Sequence, residues 1–388
     1  MNRKQPYLQD LSRALSSQSS KGSKISCNEK ETAILKEIRS LTEKNNRNNL
    51  TRTKAYYEYY LNHPEIKWAL LAHLVSRNGG WNMTDLKGEF LSLLLPEKEQ
   101  HNFFCFLERG NWLIFQDAYP QLLLYEKSLE SGRSLFHLLP HLQISSFMKA
   151  MWTYFWEEKD ENLLSYSLII NEQMYIEKRV IAHKSYQISV LNTMMFKLQD
   201  ILNLNHLLIP YYSEDKKETK LSGAVLHHFA SLEERIEFGK KLYAMIFSTP
   251  SKLSRITAWA GDHLHTGSRS DYWPQLFSAT AKSRSGSLHG TRISACSLKE
   301  NAPLIFSPTL SSAWKDTIQE KAERGDWFDD EKVLKFFAPP TEEKAVNIYE
   351  AYCGAIEKME RAVYIEKLFL HKDQQRVSNK ENSTKKRE

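Results

Sequence analysis

Between Asn62 and Asn78 the chain reads NHPEIKWALLAHLVSRN, a helical segment apolar on nearly every face that still carries His73, Ser76 and Arg77. A surface helix keeps one polar side, and this one does not. It belongs in a core, where polar groups must find partners. A central helix holding a buried polar network is therefore the strongest constraint on the fold. Asn62 is the expected N-cap, Pro64 falls in the first turn, and Glu65 completes a capping box. Asn78-Gly79-Gly80 supplies the expected stop. Ile66, Ala69, Leu70, His73, Leu74 and Arg77 form one stripe, which points His73 and Arg77 (i, i+4) at shared space. A guanidinium there needs carboxylates or carbonyls, with Asp85 and Asp271 as candidates.

Helix-period patterns recur along the rest of the chain. They predict helices over 29–44, 51–61, 85–95, 96–109, 111–129, 144–156, 162–181, 183–204, 232–247, 251–260, 311–324 and 341–370. No alternating run is flanked by hairpin turns, so β structure should be minor. The fold class is all-α, a single large multi-helix domain over 29–370. Basic tails at 1–28 and 371–388 are expected to be disordered. Residues 261–308, rich in Ser, Gly, His and Pro, form one long irregular region of the kind that is often functional.

The net charge of +6 resides in the ends: 1–50 carry +5, 366–388 carry +3, and 51–365 are left at −2. A nearly neutral body lacks the signature of a nucleic-acid-binding domain. Nucleic acid could engage the tails together with Arg52, Lys54 and the neighbouring tyrosines. Helical surfaces suit a protein partner. The four cysteines, Cys27, Cys105, Cys296 and Cys353, are widely spaced, which argues against a cysteine-only zinc site and a disulfide framework. No apolar run reaches membrane-spanning length and the N-terminus lacks a signal-peptide core, so a cytoplasmic location is expected.

The second polar segment is Ala260–Pro274, AGDHLHTGSRSDYWP. Asp262, His263, His265 and Asp271 are donors of the type zinc accepts. Arg269, with Ser268 and Ser270, could contact a phosphate or carboxylate. Gly261-Asp262-His263-Leu264-His265 resembles the GDxHxPxH stretch of the all-helical zinc phosphoesterases. Its histidines fall one residue to either side of that pattern, and the Pro-x-His is absent. No established nucleophile, zinc or calcium motif is present, and none requires a cofactor. The candidate cluster is therefore His73, Arg77, Asp85, His265, Arg269 and Asp271, with a divalent metal as an open alternative.

Two stretches carry a family resemblance: LTRTKAYYEYYLNHPEIKWALLAHLVSRNGGWNMTDLKG and HTGSRSDYWP. They resemble the YppC-like family of uncharacterised proteins from spore-forming Gram-positive bacteria, a domain of unknown function, over roughly residues 45–365. The resemblance implies a bacterial cytoplasmic protein and carries over no activity and no catalytic residues. The resulting reading is a binding or scaffold module. The alternatives are a metal-assisted hydrolase of a phosphate-containing substrate and a nucleic-acid-binding protein.

Overall fold

The computed structural model describes Ser12, Leu15 and residues 27–193, 205–280, 291–329, 331–341 and 347–384, with side chains of the last helix described to residue 368. Helix α1 (Glu29–Asn45) begins at a capping box made by Asn28 and Glu31. A second box, from Asn48 and Thr51, starts α2 (Asn49–Asn62). These caps satisfy amide groups that the first helical turn leaves open. α2 packs lengthwise on α3 (Trp68–Asp85). The long α4 (Glu97–Ser131), α5 (Ser146–Glu158) and α6 (Glu161–Ile176) complete the first helical layer. Pro96 at the N-cap of α4 leaves no amide hydrogen to satisfy there.

A hairpin follows, β1 (His206–Tyr212) paired antiparallel with β2 (Thr219–Val225). Then come α7 (Leu232–Ile246), α8 (Pro250–Asp262) and, last, α9 (Ile348–Thr384). The chain is mostly helical, and the other strands are two-residue pairs. The hairpin shows no alternation because HLLIPYY is a continuous apolar run, which periodicity cannot assign to a strand.

Several expected elements differ from those observed, and the helix expected over 85–95 is a single turn, Leu91–Leu94, because Asp85 ends α3 and a turn follows it. α3 starts at Trp68 instead of Asn62 and runs through Gly79 and Gly80 to Asp85. The two helices expected over 96–109 and 111–129 are one, because packing on α1, α2, α3 and α6 outweighs the propensity costs of Gly110 and Pro120. The helix expected over 311–324 is a single turn, Leu310–Ala313, followed by chain without regular secondary structure. That chain is pinned by Trp314, stacked 4.1 Å from Phe104, and by buried Trp327, whose Nε1 donates to Asn171 Oδ1 at 2.9 Å. Finally, α9 continues to Thr384 through residues expected to be a tail. That stretch, HKDQQRVSNKENST, holds neither Gly nor Pro to end a helix.

Of the N-terminal tail, Leu15 is 1% exposed within the core, so apolar packing reaches into a segment read as polar and disordered. The other tail residues, apart from Ser12, Cys27 and Asn28, lie outside the described residues, as do 385–388 and much of the helix expected over 183–204. Cys296 and Cys353 form a disulfide with Cα atoms 5.1 Å apart, tying α9 to the irregular region. Their separation of 57 residues concealed a proximity that only the fold creates.

Two apolar cores result among the described residues. The larger gathers α1 to α7, and the smaller is built around Trp81, Trp259, Tyr272, Trp273 and Ile356. α3 contributes to both, which makes it the central helix. Among the described residues no helix is long and apolar enough to cross a membrane.

Candidate functional site

α3 presents two opposed polar faces. On the first, His73 donates from Nδ1 to the Thr53 carbonyl at 2.8 Å and accepts at Nε2 from Arg77 Nε at 3.0 Å. Those partners fix one neutral tautomer. Burial, then the Arg77 charge, holds the His73 pKa well below its ordinary value, consistent with that state. The Arg77 guanidinium also donates to the carbonyls of Ala260 and His263 and lies 5.0 Å over the Trp259 ring. Arg77 thus caps the C-terminal end of α8, where unsatisfied carbonyls attract a cation. Its partners are carbonyls, not the carboxylates of Asp85 or Asp271. Burial lowers its pKa to about 10, which leaves it charged at neutral pH.

The same network continues away from Arg77. Thr53 Oγ1 and Ser76 Oγ are 2.6 Å apart, and Asn49 Nδ2 donates to the Ser76 carbonyl at 2.8 Å. That bond orients the Asn49 amide, so Oδ1 accepts from His265 Nε2 at 2.9 Å. The other His265 nitrogen stands 3.3 Å from Asp271. Burial pushes the Asp271 carboxyl up, but the adjacent His265 ring and hydrogen bonds from Thr266 outweigh it and hold the pKa below its ordinary value. Trp81 Nε1 donates to the same carboxylate at 3.1 Å. His73, Arg77 and His265 are therefore joined, through α2, in one buried chain of hydrogen bonds, with Asp271 beside the His265 ring.

On the opposite face, Val75, Asn78, Gly79, Asn82 and Asp85 follow one another at helical spacing and border a cavity of about 320 Å³. α4 contributes Phe103, Phe106 and Gly110, α7 contributes Phe238, and α9 contributes Tyr352 and Ile356. Asn78 positions β1 at its rim. Its side chain accepts from the Leu208 amide at 2.8 Å and donates to the Leu208 carbonyl at 2.7 Å, standing in for a neighbouring strand. Arg269 is clamped at the wall by Asp85 at 2.7 Å, Asn82 at 3.0 Å and the Tyr272 hydroxyl at 2.9 Å. Glu172 also borders the cavity, and burial raises its pKa to about 7.

A model of a family described as protein of unknown function (DUF2515) matches residues 44–356. The chain belongs to this family. It is 44% identical over 238 residues to the Uncharacterized protein YppC of Bacillus subtilis (strain 168), an alignment covering 61% of this chain and 72% of that relative. No solved structure matches it. The DUF2515 span includes the whole buried network and every cavity residue except Met359.

Of the residues singled out in sequence, Asp85 and Arg269 are paired at the cavity, whereas His73, Arg77, His265 and Asp271 belong to the buried network. The four proposed metal ligands do not converge. Asp262 accepts from the Tyr212 hydroxyl at 2.9 Å, and His263 stacks on Trp259 at 4.5 Å. Among the described residues no three His, Cys, Asp or Glu side chains form a metal-sized group. Ser268 Oγ donates to the Ser307 carbonyl at 2.6 Å, and Arg269 N donates to Ser307 Oγ at 2.8 Å, so this loop binds itself. Arg52 is buried and paired with Glu108 at 2.5 Å, which removes it from any surface that could meet nucleic acid.

Sequence reasoning missed His206, Glu172, Asn78 and Asn82. The one available signal was the 75, 78, 82, 85 spacing on α3, which places a second stripe opposite His73.

The GGW turn expected after Asn78 is absent because its glycines serve close approach instead. A Cβ on Gly80 would lie 2.4 Å from both Asn49 Oδ1 and His265 Nε2. Gly80→Ala is expected to cost about 1–3 kcal/mol despite alanine's better helix propensity. A urea midpoint equal to or above that of wild type would show that the network is not closed over Gly80.

Proposed function

We propose that the protein is a binding module that takes up a small, mainly apolar molecule in the cavity between α3, α4, α7 and α9. The observation that carries this reading is the cavity itself: about 320 Å³, walled largely by aliphatic and aromatic side chains with a few polar groups at fixed places. Ligand sites are commonly concave, mostly apolar and largely preformed, and this volume falls within their range. Val75 supports it, because it is 37% exposed on a helix whose other apolar residues are buried, and it borders the cavity. The alternative of metal-assisted hydrolysis has less support, since the groups it requires bond to one another or point apart.

Gly110 permits a clean test. It borders the cavity, and a Cβ added there meets nothing within 4 Å. Gly110→Leu should fill the space while raising helix propensity by about 1 kcal/mol. The hydrocarbon fluorophore pyrene is expected to bind wild-type protein saturably at one equivalent. It should bind Gly110→Leu at least tenfold more weakly, with thermal stability equal or higher. Absence of saturable binding to folded wild-type protein, or undiminished binding to the variant, would overturn the reading.

A further inference from the structure

We infer that the cavity's natural occupant is an electrically neutral molecule bearing a hydroxyl or carbonyl group, held through that group by His206. This inference rests on the cavity being a binding site, as proposed above. His206 is the first residue of β1, is 5% exposed, and borders the cavity. Neither of its ring nitrogens has a hydrogen-bond partner among the described residues. The Tyr352 ring lies 5.9 Å away, and its hydroxyl is hydrogen-bonded to that of Tyr272 at 2.7 Å.

A buried imidazole left without partners is costly, so its retention at a cavity wall points to a group that arrives with the ligand. A neutral imidazole offers one N–H donor and one bare nitrogen acceptor. A ligand hydroxyl can engage either nitrogen, and a carbonyl can accept from the N–H. Burial and the nearby Arg269 charge lower the His206 pKa to about 4, so the ring offers no positive charge to an anion.

The charges at the wall favour the same class. Arg269 is matched by Asp85, and Arg235 by Glu177. Glu89 is matched by Arg292. Glu172 accepts from the Gln173 amide at 3.0 Å and supplies no positive charge to the wall. A carboxylate or phosphate ligand would lose its hydration without gaining an unpaired cation. A cation gains little from Glu172, because that carboxyl is largely neutral below pH 7. The position of His206 is also well fixed, since Asn78 locks the backbone of Leu208 two residues along the same strand face.

The test displaces pyrene from full-length protein at pH 6.5 with 1-decanol, decanoate and decylamine, each compared in wild type, His206→Leu and His206→Gln. Decanol is expected to compete at least tenfold better than either charged analogue in wild type. His206→Leu should lose tenfold or more in decanol competition while its pyrene affinity stays within twofold. His206→Gln, which keeps a donor and an acceptor, should restore part of the loss. If decanoate or decylamine equals decanol in wild type, or if His206→Leu binds decanol unchanged, the inference is overturned while the cavity reading stands. The wild-type comparison decides even if a variant does not fold. Failure of pyrene itself to bind would instead overturn the cavity reading.

Discussion

Replacing Arg269 by Leu is expected to destabilise the protein by about 3–5 kcal/mol, read as a lower urea midpoint with an unchanged slope. Its guanidinium serves Asp85, Asn82 and the Tyr272 hydroxyl at once, and it is only 6% exposed. Removal strands the Asp85 carboxylate, and an unpaired charge next to an apolar cavity costs more than the ion pair itself contributes. The expected value lies toward the lower end, because the Asp85 side chain keeps 28% exposure. Arg269→Lys should recover less than half, since an ammonium cannot reproduce the forked contact with both carboxylate oxygens. Adding Asp85→Leu to Arg269→Leu should return much of the stability, because no orphaned charge then remains. A loss below about 1 kcal/mol in the single variant would show that the pair is not structurally important.

Asp117 should give the protein an inverted pH dependence. The side chain is buried in α4, where burial raises its pKa to about 7 from the ordinary 3.8. It accepts from Asn171 at 2.5 Å and Gln121 at 2.9 Å, while Oδ1 has no partner among the described residues. A carboxyl whose folded pKa lies above its unfolded pKa binds its proton more tightly when folded. Its contribution to stability is therefore fully present below about pH 4 and is lost as pH rises towards 7. The interval corresponds to about 4 kcal/mol. Asp117→Asn retains an acceptor for both amides and removes the titration. Urea titrations from pH 4 to 8 should show wild type losing about 4 kcal/mol relative to the variant. Parallel stability curves would mean that Asp117 ionises in the folded protein as readily as in the unfolded chain.

Much of the helical framework is legible from local chemistry. Asn28 with Glu31 and Asn48 with Thr51 start α1 and α2 through contacts spanning three residues, and Thr249 caps α8 just ahead of Pro250. The i, i+4 meeting of His73 and Arg77 is likewise a property of one helix. Local rules misread Gly79 and Gly80, because a glycine that ends a helix and one that admits a neighbour look alike in sequence. Asn49 and His265, the neighbours of Gly80, are distant along the chain. The same limit applies to Trp314 and Trp327, which hold an irregular segment in place where helical periodicity suggested a helix.

The sequence alone determined that the chain is mostly helical, that the Trp68–Arg77 segment is buried, and that its polar residues require partners. It determined these because hydrophobic periodicity, capping and the cost of burying polar groups act over one or two helical turns. The tertiary structure decided which partners they take: carbonyls at the end of α8 for Arg77, Asn49 for His265, and Asp85 for Arg269. It also decided that the opposite face of the same helix opens on a cavity in which His206 has no partner among the described residues. A cavity is a gap between elements far apart in the chain, so its existence depends on how α3, α4, α7 and α9 pack. No single segment encodes it.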